Sequence, residues 1–368
     1  MRLTTVAWIM LYFLALPVIG ALLELDPLTA FLGVLLGLML LWGMRMRTLL
    51  NPAGGSEMHL DTISASHFVE KVRWCMDRLG VPYKEVPNAG VIGVFTVGRT
   101  VPRLRVRTGS VESSIGNSSD ILRYLWGRYG LVDPRAGFLE PGADALALEK
   151  QMDHYGLSLQ RWIYHNIIRD RELTLQAWGA NDPKLPGWQR LAVRVGFPVL
   201  RGMIRRAFRL SDRAHRRVLI QISEFLQSME DRLADGRRTL LGGGQISFVD
   251  LTLAGLSGIW LQPPGYGGGQ AEGVRLSASS LPQGMIAEMQ QWREQFPRVV
   301  ALVERLYREE RGGTQGGRPA EPASSSPSAP SVPSAPSAPS DRKQDTSSER
   351  SKAAPSIHRL PRPAAADC

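Results

Sequence analysis

Two apolar runs at the start of the chain constrain it most. From Leu3 to Leu25 the sequence reads LTTVAWIMLYFLALPVIGALLEL, and after Asp26-Pro27 a second run extends from Leu28 to Met44 and ends in Arg45 and Arg47. A helix that spans a bilayer needs about 20 apolar residues, with about 17 as the lower end, because its backbone polar groups must pair internally. The first run exceeds that length and the second just reaches it. The expectation is a transmembrane hairpin over residues 1–47, with spans at about 3–25 and 28–46 and the turn at Asp26-Pro27. Arg2, Arg45 and Arg47 flank the hairpin, while Glu24 and Asp26 occupy its loop. The positive-inside rule places both ends, and the globular part after them, on the cytoplasmic side of the membrane. A cleaved signal peptide is the alternative, opposed by the length of the first run, the lack of an A-x-A site and the second run. Gly33 and Gly37 have a small-xxx-small spacing suited to helix packing.

Beyond residue 47 the composition changes twice. Residues 48–57 contain Asn51-Pro52-Ala53-Gly54-Gly55-Ser56, a turn-rich linker. From Gly312 to Cys368, Ser, Pro and Ala dominate and SAPSVPSAPSAPS forms a near-repeat. A segment so poor in large apolar groups cannot offset its ordering entropy, so 312–368 reads as a disordered tail. The folded mass therefore lies between about Met58 and Arg311. The formal net charge is +10, with arginines concentrated in Arg201–Arg217. That cluster reads as a solvated helix face, with attraction to anionic lipid as its functional alternative. No nucleic-acid motif accompanies it, which argues against a nucleic-acid partner.

The folded stretch divides by pattern. Strand signals at Met58–Ile63, Val81–Val86, Val101–Val106 and, more weakly, Ser110–Glu112 are interleaved with helical spacing in Phe68, Val72, Cys75, Met76 and Leu79 and in Ile121, Leu122 and Leu125. The order is β-α-β, a connection, then β-β-α, over residues 58–132. Helical patterns alone follow over 133–311, roughly at Ala143–Ile168, Pro186–Phe208, Asp212–Leu233, Phe248–Trp260 and Met285–Arg311. A small α/β domain followed by an all-α domain is the reading. Ser247 and Asp250 form an S-x-x-D capping box ahead of an apolar helix. The loop Pro263–Gly269 reads as long and mobile.

Four blocks, in order, carry a family resemblance. Ser66-His67-Phe68-Val69-Glu70-Lys71-Val72-Arg73-Trp74 resembles the start of the first helix of glutathione transferases. Thr100-Val101-Pro102-Arg103-Leu104 is similar to their V-P-x-L segment, and Ile115-Gly116-Asn117-Ser118-Ser119-Asp120 to the segment that opens their third helix. Gly244-Gln245-Ile246-Ser247-Phe248-Val249-Asp250-Leu251 resembles the capping segment of their helical domain. The resemblance implies a thioredoxin-like α/β domain followed by a helical bundle, with glutathione as co-substrate. It implies that Ser66 donates to the glutathione sulfur, that Val101, before a cis Pro102, pairs with the peptide backbone, and that Asn117 and Ser118 hold the γ-glutamyl end. A homodimer is implied on the same basis. Asn117 departs from the family's acidic residue or Gln, and an uncharged amide weakens recognition of an ammonium group.

Each of these residues also has a plainer reading. Ser66 is a favoured N-cap residue whether or not chemistry follows, and Ser118 or Ser119 can cap the next helix. His67 reads as a partly exposed first-turn residue. Cys75 shares the apolar stripe of its helix, so it is expected in the core, and with Cys368 as the other cysteine no C-x-x-C or zinc spacing exists. No metal is expected. Two functions remain open: a membrane-anchored transferase conjugating glutathione to, or reducing with it, an electrophile, and a non-catalytic binding or assembly module of the same fold.

Overall fold

The computed structural model describes residues 26–50, 56–90, 92, 101–109, 111–271, 274–276 and 278–311. The first apolar run, half of the linker and the Ser/Pro/Ala tail lie outside the described residues. The second run forms helix α1 over Pro27–Leu50, opened by Asp26, whose carboxylate accepts from the amides of Leu28 and Thr29 at 3.0 and 3.1 Å. Its described side chains include exposed Leu28, Phe31, Leu32, Leu36, Met39, Leu40 and Trp42. Among the described residues no helix is long and apolar enough to cross a membrane. The expected hairpin of two spans is therefore not a finding of the structure.

Four strands make one sheet: β1 (Glu57–Thr62), β2 (Lys84–Pro87), β3 (Arg103–Thr108) and β4 (Val111–Gly116), in the order β2-β1-β3-β4. β1 pairs parallel with β2 and antiparallel with β3, and β3 pairs antiparallel with β4. Helix α2 (His67–Leu79) connects β1 to β2, and α3 (Ser118–Tyr129) follows β4. This is the β-α-β, β-β-α order expected from the sequence. Two strands start later than the pattern predicts. Pro82 delays β2, and the cis Val101-Pro102 bond sits ahead of β3 rather than within it. β4 is longer than its faint signal, because it lies at the sheet edge with exposed Val111, Glu112, Ser113 and Ser114 and shows no alternation to read. Arg105 donates to both oxygens of Asp61 at 2.7 Å, a diagonal cross-strand pair that helps hold the β1–β3 register.

The helical half begins after a 3₁₀ turn at Pro134–Leu139 and contains α4 (Ala143–Ile167), α5 (Arg171–Ala177), α6 (Gly187–Val195), α7 (Phe197–Ala207), α8 (Asp212–Arg232), α9 (Phe248–Leu261), α10 (Gln283–Gln295) and α11 (Pro297–Leu306). A π-helical turn, Tyr307–Arg311, closes the described part. Two of the expected long helices are each broken. Pro186–Phe208 divides at Gly196, with Pro198 in the first turn of α7, and Met285–Arg311 divides at Phe296-Pro297. In each case proline sits in a helix's first turn, where its missing N–H costs nothing, and ends the helix before it.

Helix α9 is apolar nearly all round and almost wholly buried, as such a helix must be. Gly255 lets it approach α2 closely: a Cβ there would lie 3.1 Å from the Lys71 backbone nitrogen. The main core is continuous through both halves, joining Leu60, Trp74, Cys75 and Leu104 to Trp162, Phe248, Trp260 and Trp292. A smaller core gathers Ala89, Trp178, Val193, Phe197 and Ile204 under α5 to α7. Asp250 is fully buried and its carboxylate accepts from Ser247 N, Ser247 Oγ and Leu240 N at 2.7–2.9 Å, so the expected capping box is a folding device.

Candidate functional site

The register of the sheet brings the strand ends beside the predicted residues into one row. Asp61 pairs with Arg103, and Arg103 pairs with Gly116. Adjacent strands lie about 4.8 Å apart, so this row spans roughly 10 Å across three strands. Pro102 immediately precedes one member of the row and Asn117 immediately follows another. Ser66 lies five residues beyond the third, after the turn Ile63–Ala65. Residues from three separate blocks are thus assembled by strand pairing alone.

Ser66 is the N-cap of α2, with extended backbone (φ −72°, ψ 125°), but its side chain makes no cap hydrogen bond. Its amide donates to Ile63 O at 2.8 Å and its carbonyl accepts from Glu70 N at 3.0 Å. The capping reading accounts for its backbone and not for its half-buried hydroxyl. A helix N-terminus carries partial positive charge and presents amides without intrahelical partners, an environment that favours an anion.

The N-terminus of α3 is built differently. Asn117 is its exposed N-cap at φ 68°, ψ 133°, a region that non-glycine residues rarely occupy, and its side chain makes no cap bond either. Ser118 is the first helical residue and is buried. Ser119 does not cap the helix: its hydroxyl accepts from Lys71 Nζ at 2.9 Å and donates to Asp153 at 3.2 Å. The expected cap by Ser118 or Ser119 is therefore corrected. Lys71 is fully buried and also donates to Glu149 at 2.7 Å, so one side chain of α2 ties α3 to α4 behind the site. Val101 is partly exposed, Pro102 is buried, and their peptide bond is cis, as the resemblance implies.

Two neighbours of Ser66 differ from expectation. His67 is buried at 3% exposure rather than partly exposed, and its Nε2–H donates to the Gly156 carbonyl at 2.9 Å. Helix α4 reaches this point because Gly156 has no side chain; a Cβ there would sit 2.6 Å from the Phe68 ring. Burial holds the imidazole neutral, at about 4 rather than 6.5. The unfolded chain binds that proton more readily, so stability should fall as pH drops from about 6.5 towards about 4, by roughly 3 kcal/mol at the lower end. Denaturant titrations across that window should show a shallower dependence for His67→Gln; an identical slope would remove His67 as the cause.

The second neighbour is Tyr266. The loop Pro263–Gly269, expected to be long and mobile, carries Tyr266 at 8% exposure into the core, where its hydroxyl donates to Ala65 O at 3.1 Å, beside Ser66. Glycines at positive φ flank it at positions 265, 267, 268 and 269 and permit that return. Sequence reasoning missed this contact, since a residue 201 positions away leaves no local signal. Cys75 is buried as expected, its thiol pushed up to about 12 by desolvation, which excludes it as a thiolate nucleophile near neutrality. Among the described residues no cluster of His, Cys, Asp and Glu could hold a metal.

Residues 60–135 match the family model for the glutathione S-transferase N-terminal domain. No curated protein matches the chain. Similar solved structures include a glutathione S-transferase from Methylobacterium radiotolerans in complex with glutathione sulfonate, 18% identical, covering 70% of this chain and 94% of that one, TM-score 0.44. A glutathione transferase family member from Pseudomonas fluorescens with two glutathione bound is 13% identical, covering 70% and 92%, TM-score 0.42. A glutathione S-transferase from Methylobacillus flagellatus with bound glutathione is 14% identical, covering 70% and 98%, TM-score 0.41. By sequence, then, residues 60–135 are similar to the glutathione S-transferase N-terminal domain.

Proposed function

We propose that the protein binds glutathione beside this row of strand ends and uses it in thiol conjugation or glutathione-dependent reduction of an electrophile, held at a membrane by its N-terminal apolar runs. The observation that carries the reading is the convergence of two helix N-termini, at Ser66 and Asn117, on either side of the Val101-Pro102 bend. A tripeptide with a thiolate on its central residue and a carboxylate at its γ-glutamyl end suits such a cradle. Its thiolate would face the α2 N-terminus and accept from the Ser66 hydroxyl, and its γ-glutamyl carboxylate would meet the amides of α3 at Ser118. The backbone of Val101, just beyond the last β1–β3 pair, is placed to pair with the extended peptide between them. Similar structures crystallised with glutathione are consistent with this ligand. Membrane attachment rests on the apolarity of residues 3–25 and on the exposed apolar side chains of α1.

The test is calorimetric titration of glutathione into the full-length protein in detergent. Saturable binding below millimolar ligand is expected, and no heat at millimolar ligand would sink the reading in favour of a non-catalytic module. Asn117→Glu restores a carboxylate for the ligand's ammonium group and should tighten binding about tenfold, the gain of one charge-assisted hydrogen bond. Unchanged affinity would show that the γ-glutamyl end lies elsewhere.

A further inference from the structure

Helices α6 and α7 have an unusual outer face. Their inner sides, through Gln189, Val193, Phe197 and Ile204, pack on the smaller core. On α6, Trp188, Leu191 and Val195 stand at i, i+3 and i+7, exposed at 58%, 62% and 74%. On α7, Val199 and Met203 follow at i and i+4, at 68% and 43%. Single exposed apolar residues are unremarkable, but five at helical spacing on two successive helices are not. Each helix is thus apolar on both of its faces.

The charge around these residues is one-sided. From Lys184 to Arg217 the chain has ten basic residues and a single acidic one, Asp212. Arg205 and Arg206 lie in the last turn of α7, Arg209 in the corner after it, and Arg213, Arg216 and Arg217 in the first two turns of α8; all six are exposed. Among the described residues, Asp212 lies 3.7 Å from Arg169 and 3.7 Å from the His165 ring, and no carboxylate pairs with any of these six arginines. A cavity of about 500 Å³ opens at the same corner, lined by Arg161, His165, Arg209, His215 and Arg217.

We infer that the outer face of α6 and α7, with the arginine-rich corner leading into α8, is an in-plane contact for an anionic lipid bilayer. The five apolar side chains enter the acyl boundary and the arginines meet lipid phosphates. An amphipathic helix with bulky apolar groups on one side and arginines beside them binds in this way. Each basic residue near an anionic surface contributes about 1 kcal/mol. Charge decides against a second copy as the occupant, because a two-fold contact would set two arginine clusters against each other without acidic partners. The inference rests on the membrane part of the proposed function and is independent of glutathione.

The test is hydrogen–deuterium exchange of the full-length protein in nanodiscs of phosphatidylcholine alone and of phosphatidylcholine with phosphatidylglycerol. Amides of 187–207 should exchange about tenfold more slowly in the anionic discs, and this protection should vanish at roughly 0.5 M salt. The triple variant Trp188→Ser, Leu191→Ser, Val199→Ser changes only exposed positions and should abolish the difference. Equal exchange in both discs overturns the inference, as does protection that the triple variant retains. Protection that appears in detergent and grows with protein concentration identifies a second copy and overturns it too. Failure of the chain to be recovered with either disc refutes membrane attachment itself, a separable result.

Discussion

Replacing Ser66 by alanine is expected to lower the rate of glutathione conjugation by about two to three orders of magnitude, with glutathione affinity changed by less than about threefold. A donor aimed at charge in a pre-organised site contributes on that scale when it is deleted. The side chain supports this use, because it stands at the N-terminus of α2 without serving as its cap. Binding falls little because Val101 and the α3 N-terminus hold the rest of the ligand in the proposed arrangement. The measurement is steady-state conjugation of a chromogenic electrophile alongside calorimetric affinity for glutathione, on the same samples. A variant with unchanged rate removes Ser66 from the mechanism. A parallel fall in helix stability without a rate effect would return the residue to a capping role, for which about 1 kcal/mol is usual.

Arg311→Ala should be the most destabilising single substitution at the junction of the two halves, by about 3–5 kcal/mol. Removing one partner of a buried ion pair costs on that scale, and here Glu70 Oε1 and Asp77 Oδ2 both lose the guanidinium while Glu70 keeps Arg73. The guanidinium is 2% exposed and donates to Glu70 at 3.1 Å and to Asp77 at 2.6 Å. It also lies 5.4 Å from the centre of the Trp74 ring. Glu70 is fully buried and shares its second oxygen with Arg73, which in turn holds Glu85 through two donors at 3.0 and 2.7 Å. Burial opposes the Arg73 charge, yet Glu85 and Glu70 raise its pKa above the ordinary arginine value. The pair of acids therefore depends on two arginines, one of them from the last described turn. Chemical denaturation of the full-length variant reads the loss directly, as a lower midpoint with unchanged slope. A change within about 1 kcal/mol would show that Arg73 alone satisfies Glu70. Because the network is anchored on α2, the variant should also loosen the helix that presents Ser66.

The parts of the fold legible in the sequence are those dictated by neighbours. The apolar stripe of α2 placed Cys75 in the core, and the turn at Gly80, with φ 70°, is a left-handed helix end of the kind glycine favours. The capping box at Ser247 marked the start of α9 within a residue. Where the pattern misled, a single residue overrode periodicity. Gly196 and Pro297 each divide a run whose apolar spacing continues through them, and β4, exposed at the sheet edge, has no alternation.

The sequence by itself determined the local elements, the apolar N-terminal runs and the identity of Ser66, Val101, Pro102, Asn117 and Ser118, because these depend on residue type and short spacing. Tertiary structure alone decided that those residues follow or precede one row across the sheet, through the register Asp61–Arg103–Gly116, and that the N-caps Ser66 and Asn117 leave their side chains unused for capping. It alone buried His67 against Gly156 and brought Tyr266 beside Ser66. It also set Arg311 on Glu70, 241 residues away, and turned an arginine-rich, apolar helix pair outward. The physical reason is the same in each case. Burial and long-range pairing are properties of packing, set by residues distant in the chain, and leave no mark on the spacing of their immediate neighbours.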